Sequence, residues 1–119
     1  MNFFADTSFL SALYWQGPNS AKAAQFQERY HPVFMVTGLS RMELTNILHR
    51  HRLDYPKDVE SALQKFAADL QAGQRLLWRP LDGEELYGPA RTLARRYSPL
   101  LKPGTLDLLL VTAAKELQA

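Results

Sequence analysis

The sequence of 119 residues contains no cysteine. Disulfide bonds, thiolate catalysis and cysteine-ligated zinc or iron–sulfur sites are therefore excluded. Any bound metal ion has to be held by carboxylates or by the three histidines.

Long hydrophobic runs are also missing. Residues 1–6 lack the basic segment and the long apolar stretch of a signal peptide. The longest later apolar run, 106–114, is interrupted by Asp107 and Thr112. It falls well short of the roughly 20 residues that a membrane span needs. We expect a cytoplasmic protein with no membrane association.

Neither sign of charge is in large excess. The chain has 14 Lys and Arg against 12 Asp and Glu, and 46% of its residues are hydrophobic. This length and composition favour one globular domain spanning residues 1–119. If three of the acids faced a metal ion, the rest of the chain would be more basic and would favour a polyanionic substrate.

Short apolar runs alternate with longer amphipathic segments, and turn or capping residues separate them. This pattern predicts an α/β domain with a largely parallel sheet. The predicted strands are 2–5, 33–36 and 75–81. The predicted helices are about 8–15, 20–30, 40–52, 56–73, 82–97 with a break or kink at Gly88-Pro89, and 105 to the chain end. The predicted helix-capping residues are Asp6 to Ser8, Asn19 or Ser20, Ser40, Asp82 and Thr105.

Two carboxylates stand out in the first half of the chain. Asp6 directly follows the first predicted strand, at the sheet edge where open α/β folds bind ligands, or it simply caps the next helix. Glu43 shares a helix stripe with Asn46 and Arg50, which follow it by three and seven residues. The stripe favours either a functional site or a network in which Arg50 pairs with Glu43.

A third carboxylate, Asp107, interrupts the apolar pattern of the last helix. It shares a face with Leu110, Val111 and Ala114, so we expect it to be partly buried and to need a cation or hydrogen-bond donors. The alternative is a role in the first helical turn, where the helix dipole favours negative charge after Thr105 as N-cap.

These three acids would form one site if their elements meet at the carboxyl edge of the sheet. Carboxylates in such proximity repel each other strongly unless a divalent cation lies between them. Oxygen ligands suit Mg²⁺ or Mn²⁺, and such ions support the hydrolysis of phosphodiester bonds. A basic patch of Arg91, Arg95, Arg96 and Lys102 is either a surface for RNA phosphates or a solvated helix face.

Three segments together resemble known sequence motifs. They are residues 4–10 (FADTSFL), 39–48 (LSRMELTNIL) and 104–114 (GTLDLLLVTAA). In their order and spacing they resemble the PIN-domain superfamily, and within it the VapC-like toxin ribonucleases of toxin–antitoxin modules. The resemblance covers essentially the whole chain and implies a three-layer α/β/α fold.

The resemblance also implies a function. Asp6, Glu43 and Asp107 are expected to hold one or two Mg²⁺ or Mn²⁺ ions as catalytic and metal-binding residues. A hydroxyl of Thr7 or Ser8 is expected beside the metal. Asn46 is expected as a supporting polar residue. The implied activity is endoribonuclease cleavage, in a homodimer that a cognate antitoxin inhibits.

Two positions differ from the family pattern. Relatives commonly continue into another strand and a Thr-x-Asp segment that supplies a fourth acid, whereas this sequence stops at Ala119. Leu110 stands where many relatives carry a histidine. The second interpretation is therefore a degenerate or truncated PIN-like module that binds RNA or a protein without cleavage. A haloacid-dehalogenase-type phosphotransfer enzyme ranks lower, because position 8 is Ser where that chemistry needs a second Asp.

Overall fold

The structure of the protein is a computed structural model that describes residues 2–5, 7–81 and 83–117. Three strands and six helices alternate along these residues. The elements in chain order are β1 (Asn2–Phe4), α1 (Thr7–Tyr14), α2 (Ser20–Tyr30), β2 (Val33–Val36), α3 (Gly38–His49), α4 (Pro56–Ala72), β3 (Leu76–Trp78), α5 (Glu84–Leu101) and α6 (Thr105–Glu116). Within the described ranges, no helix is both long enough and apolar enough to cross a bilayer.

The strands form a parallel sheet in the order β1-β2-β3. Each pair of neighbouring parallel strands is joined by a crossover connection that contains helices, and such connections are nearly always right-handed. Because each new strand is added on the same side of the one before, both connections place their helices on the same face of the sheet. The core agrees with this rule, because α1, α2, α3 and α4 all contribute side chains to it. The predicted α/β class with a short parallel sheet is confirmed.

The core is built on a row of side chains that crosses the sheet. Phe3, Phe34 and Leu76 are register neighbours on the three strands, and Phe34 and Leu76 are buried. Phe9 of α1 packs on Phe34 with ring centroids 5.3 Å apart, and Phe26 of α2 meets Phe9 at 5.7 Å. These contacts bury apolar surface and fix α1 and α2 over the sheet.

The opposite face of the sheet carries a second apolar row. Phe4, Met35 and Leu77 are register neighbours and point away from the first row because side chains alternate along a strand. Met35 is only 5% exposed. Phe4 and Leu77 are half-buried, so the centre of the second face is shielded from solvent more than its sides.

Helices α5 and α6 form a hairpin. Among the described residues they pack extensively on each other, and neither has an equally extensive contact with the sheet or with α1–α4. The radius of gyration is 15.2 Å, above the roughly 13.5 Å expected for a compact chain of this length. The hairpin also exposes large apolar side chains, among them Leu100 (81%), Leu101 (71%) and Val111 (60%).

Several predicted boundaries need correction. The third helix begins at Gly38 with Thr37 as its N-cap, not at Ser40, and ends at His49. The strand expected over 75–81 is confined to Leu76–Trp78. Asn19 occupies the N-cap position of α2 without a capping hydrogen bond from its side chain. The N-cap of α6 is Gly104, so Thr105 is its first helical residue.

A break or kink is expected at Gly88-Pro89, and the break is wrong, because α5 runs without interruption through Pro89 and Pro99. The kink stays a prediction. Pro89 follows the helix start by five residues, where it removes one intrahelical hydrogen bond without ending the helix. The expected cap Asp82 lies outside the described residues. The end of α4 at Gly73 is confirmed, and Gly73 has a φ of +69°, which glycine adopts without strain.

A hydrogen bond joins the end of α1 to α4. The hydroxyl of Tyr14 donates to Oδ2 of Asp69 at 2.6 Å, and the Tyr14 ring packs edge-on against Phe66. Burial raises the pKa of Tyr14 well above its usual value, and the hydrogen bond to Asp69 raises it further. The phenol therefore stays protonated in the folded protein across the physiological pH range.

We expect Tyr14→Phe to lower the free energy of unfolding by about 1–2 kcal/mol, because the Asp69 carboxylate loses a buried donor. Urea denaturation monitored by circular dichroism measures this change. Tyr87→Phe is the control, since Tyr87 is 49% exposed on α5. Equal stability losses in the two variants would contradict a specific role for the Tyr14 hydrogen bond.

The raised pKa of Tyr14 also predicts a pH dependence. Above about pH 10 the unfolded chain releases the phenolic proton while the folded protein retains it, so stability is lost as the pH rises. Urea denaturation repeated on either side of this pH should show a smaller loss for Tyr14→Phe than for the parent. If the free energy of unfolding of Tyr14→Phe fell with pH as steeply as that of the parent, Tyr14 would not be the responsible group.

Candidate active site

The carboxyl edge of the sheet brings two helix starts together. Phe4 at the end of β1 is the register neighbour of Met35 in β2. The chain then enters α1 at Thr7 and α3 at Gly38. Because the strands are parallel, the starts of these two helices lie side by side at the edge where α/β folds bind ligands.

The start of α3 is fixed by a buried threonine. Thr37 follows β2 in an extended conformation, and its Oγ1 accepts a hydrogen bond from the backbone N–H of Ser40 at 3.2 Å. The two hydroxyl oxygens lie 3.1 Å apart, and both residues are almost completely buried. The cap therefore anchors the first turn of α3 to the end of β2. Glu43 stands one turn further along this helix.

Glu43 accepts a hydrogen bond from Thr7, whose Oγ1 donates to Oε2 of the carboxylate. Thr7 is buried and Glu43 is half-buried. The bond connects the first turn of α1 to α3 across the edge of the sheet. The prediction that a hydroxyl from the first motif lies in the site is thus consistent with the position of Thr7.

The alternative in which Arg50 pairs with Glu43 is wrong. Two ion pairs occur among the described residues, and neither includes Glu43. The hydrogen-bond partner of this half-buried carboxylate is the neutral hydroxyl of Thr7. A partly desolvated carboxylate without a paired cation is a chemically suitable oxygen ligand for Mg²⁺ or Mn²⁺.

Asp6 lies outside the described residues. Its neighbours in the chain, Ala5 and Thr7, are 8% and 6% exposed. The assignment of Asp6 as a catalytic and metal-binding residue stays a prediction.

Asp107 is exposed, and the expectation that it is partly buried is wrong. It occupies the first turn of α6, and its Oδ2 lies 3.7 Å from the point where a Cβ on Gly104 would stand. The carboxylate therefore points back toward the start of the helix, where the dipole stabilises it. The reason for the exposure is the α5–α6 hairpin, which packs mainly on itself.

The structure does not test the predicted set of three acids. Among the described residues, no three acidic or histidine side chains are grouped as they would be around a metal ion, but the predicted set includes Asp6. Thr7 and Glu43 are brought together, and the convergence of the three carboxylates stays a prediction.

The remaining predicted residues are on the surface. Ser8 and Asn46 are exposed. In the basic patch, Arg91 donates two hydrogen bonds to the Glu84 carboxylate, the shorter at 2.5 Å. The hydrogen bonding and the charge of Arg91 lower the pKa of Glu84. The other three patch residues, Arg95, Arg96 and Lys102, are also exposed.

A cavity of about 1070 Å³ lies between α1, α2 and α4, away from this edge of the sheet. Its walls include Trp15, Gln27 and Lys65, but none of the residues of the Thr7–Glu43 contact. Its lining contains both acidic and basic side chains, among them Glu28 and Lys65. The chemistry predicted from the motifs belongs to the carboxyl edge of the sheet.

Sequence reasoning missed two features of this edge. Thr37 was detectable, because threonine is a favoured N-cap residue and this one directly follows an apolar strand. The second feature is the guanidinium of Arg41, which lies 5.5 Å from the ring centroid of Trp78. No local pattern predicts that contact, because the two residues are 37 positions apart and meet only through the pairing of β2 with β3.

A comparison with protein-family models gives a match to the PIN domain over residues 3–119. A search of curated proteins gives no match. The family match spans nearly the whole sequence, including all three motifs and both helices of the Thr7–Glu43 contact. This chain belongs to the PIN domain family.

Proposed function

We propose that this PIN domain is a metal-dependent endoribonuclease, the VapC-like toxin component of a toxin–antitoxin module. Membership in the PIN domain family indicates a nuclease-type function. The observation that carries the proposal is the Thr7–Glu43 hydrogen bond at the carboxyl edge of the sheet. It joins the first motif to the second, and Asp6 directly precedes Thr7 in the chain.

The proposed metal ligands are Asp6, Glu43 and Asp107, around Mg²⁺ or Mn²⁺. PIN domains typically use divalent metal ions, and the oxygen donors of these residues suit either ion. When bound, such an ion stabilises negative charge on a phosphodiester and lowers the pKa of a water molecule. The Glu43 carboxylate is half-buried, and its hydrogen-bond partner is the neutral hydroxyl of Thr7.

The other residues of the proposed site act through position and charge. The hydroxyl of Thr7 holds one carboxylate oxygen of Glu43 and leaves the charge of the group intact. Asn46 lies one turn beyond Glu43 on α3 and offers an exposed amide. The exposed cations Arg95, Arg96 and Lys102 supply positive potential that attracts RNA.

The proposed partners are an RNA substrate, a cognate antitoxin protein and a second copy of the chain. The exposed apolar side chains of the α5–α6 hairpin support protein partners, because contiguous apolar surface of this kind commonly marks an interface. The toxin assignment rests on the resemblance of the three motifs to those of VapC-like ribonucleases.

A second candidate function is a PIN module that binds RNA or protein without cleaving it. The observation that favours it is the exposure of Asp107. A site that does not assemble its third carboxylate would bind a divalent ion weakly. Metal binding and cleavage together distinguish this candidate from the nuclease.

We expect Asp6→Asn, Glu43→Gln and Asp107→Asn each to reduce cleavage of labelled RNA in Mn²⁺ by at least 100-fold, because each change removes a negative charge at nearly constant volume. Mn²⁺ should also raise the melting temperature of the parent and much less that of the variants. Gel electrophoresis of the RNA and differential scanning fluorimetry measure the two effects.

The matched control for Asp107→Asn is Asp58→Asn. Asp58 is likewise exposed in the first turn of a helix, α4, so both changes remove the same dipole interaction. Asp58→Asn should cleave like the parent. An Asp107→Asn variant that also cleaves like the parent would limit Asp107 to a role at the helix end, and cleavage that persists in EDTA would exclude the metal-dependent mechanism.

Thr7→Val removes the hydroxyl that orients Glu43 and keeps the shape of the side chain. We expect kcat to fall roughly tenfold or more with little change in KM, and Thr7→Ser to restore most of the activity. The control is Thr112→Val, which removes a buried hydroxyl that bonds to Leu108 within α6. Equal activity of Thr7→Val and the parent, with lower stability only, would reduce the Thr7–Glu43 bond to a structural contact.

A further inference from the structure

An exposed tryptophan stands at the carboxyl end of β3, an edge strand of the sheet. Trp78 is the register neighbour of Val36, which is fully buried, yet Trp78 itself is 42% exposed. The guanidinium of Arg41 lies over its ring, 5.5 Å from the centroid. The indole is therefore held by a cation–π contact on one side, while a large part of its surface faces solvent.

This tryptophan lies beside the start of α3. The backbone N–H of Arg41 donates to the carbonyl of Thr37 at 3.0 Å, in the same turn that Thr37 caps. Glu43 follows Arg41 by two residues, so the two side chains leave α3 on different flanks. Arg41 reaches Trp78 of β3, and Glu43 reaches Thr7 of α1. The backbone N–H of Arg79 donates to the carbonyl of Val36 at 2.9 Å, which fixes Arg79 at the same edge.

The charge of this surface is uncompensated within the described residues. Arg41 and Arg79 are both exposed, and neither takes part in the two ion pairs of the described part of the chain. An aromatic face flanked by free guanidinium groups has the composition of a surface for single-stranded nucleic acid. Bases stack on the ring, and the cations hold the phosphates.

We propose that Arg41, Trp78 and Arg79 form a stacking platform that binds an unpaired base of the RNA substrate and its adjoining phosphates. The inference deepens the proposed function and rests on it, because the platform lies on the β3 side of the same helix start that carries Glu43. A base inside a duplex cannot present its face to the indole.

A protein segment is the competing occupant, since tryptophan and arginine are also enriched at protein interfaces. The two uncompensated cations favour a polyanion over a neutral apolar segment. RNA binding should therefore weaken with salt concentration. Self-association is measured in parallel to test the competing case.

The chain contains a matched control for this chemistry. Arg29 lies over the ring of Tyr30 at 5.2 Å, and Tyr30 is 56% exposed. This pair ends α2, just before β2 begins at Val33. It therefore lies toward the opposite edge of the sheet from Glu43.

The experiment measures binding separately from cleavage. Fluorescence anisotropy in EDTA follows a labelled single-stranded RNA and a duplex of the same length. We expect Trp78→Leu to weaken binding of the single strand roughly tenfold and Trp78→Phe to recover part of it. Arg41→Gln should weaken binding and reduce its salt dependence, whereas Tyr30→Leu should bind like the parent.

A direct optical readout covers the case in which Trp78→Leu does not fold. In the full-length Trp15→Phe protein, Trp78 is the one remaining tryptophan. Saturable quenching of its fluorescence by the single strand supports the platform. No quenching at concentrations where the RNA is bound overturns it.

The remaining outcomes separate this inference from the proposed function. Unchanged RNA binding by Trp78→Leu overturns the platform. If this variant instead loses the self-association of the parent, Arg41, Trp78 and Arg79 belong to a protein interface. A protein that binds RNA through Trp78 and fails to cleave with Mn²⁺ refutes the nuclease and supports the platform. If the parent cleaves RNA and Trp78→Leu binds RNA as tightly as the parent, only the platform is refuted.

Discussion

The parallel pairing of β1 with β2 is the constraint on which the rest of this structure depends. The register of Phe3 with Phe34 sets the aromatic core, and α1 and α2 pack on that core through Phe9 and Phe26. The same register brings the ends of the two strands together, so that α1 and α3 start side by side. The hydrogen bond between Thr7 and Glu43 is a consequence of this alignment. A slip of one residue would reverse which side chains face the helices and would separate the two motifs.

The fold was largely predictable because its signals are local. Residues 33–36 form an uninterrupted apolar run, and Pro56 and Gly73 mark the limits of α4 in the expected way. The errors have physical reasons of two kinds. Thr37, and not Ser40, is the N-cap of α3, because the chain is still extended at Thr37 where it leaves β2. The point at which the extended conformation ends depends on the pairing of the sheet and is not visible in the local sequence. Helix α5 continues through Pro89 because the helical hydrogen bonds on either side outweigh the one that proline removes.

The candidate site was predictable to a smaller extent. The spacing of Glu43, Asn46 and Arg50 along one stripe of α3 indicated a functional helix face. The partner of Glu43 was not predictable, since Arg50 satisfied the helical pattern and Thr7 lies 36 positions away. The exposure of Asp107 was missed for a related reason. Periodicity identifies an apolar helix face but does not say whether another element covers it, and Val111 on the same face as Asp107 is 60% exposed.

The α5–α6 hairpin places the proposed ligands in two parts of the fold that need not open together. Glu43 belongs to a helix that packs on the buried core, whereas Asp107 belongs to a hairpin whose two helices pack mainly on each other. Weakly packed units open locally at a lower free energy than the whole domain. A cation shared by both parts would hold the hairpin against the sheet, so its binding energy would be divided between coordination and docking. Metal affinity and hydrogen-exchange protection of α6 would then rise and fall together.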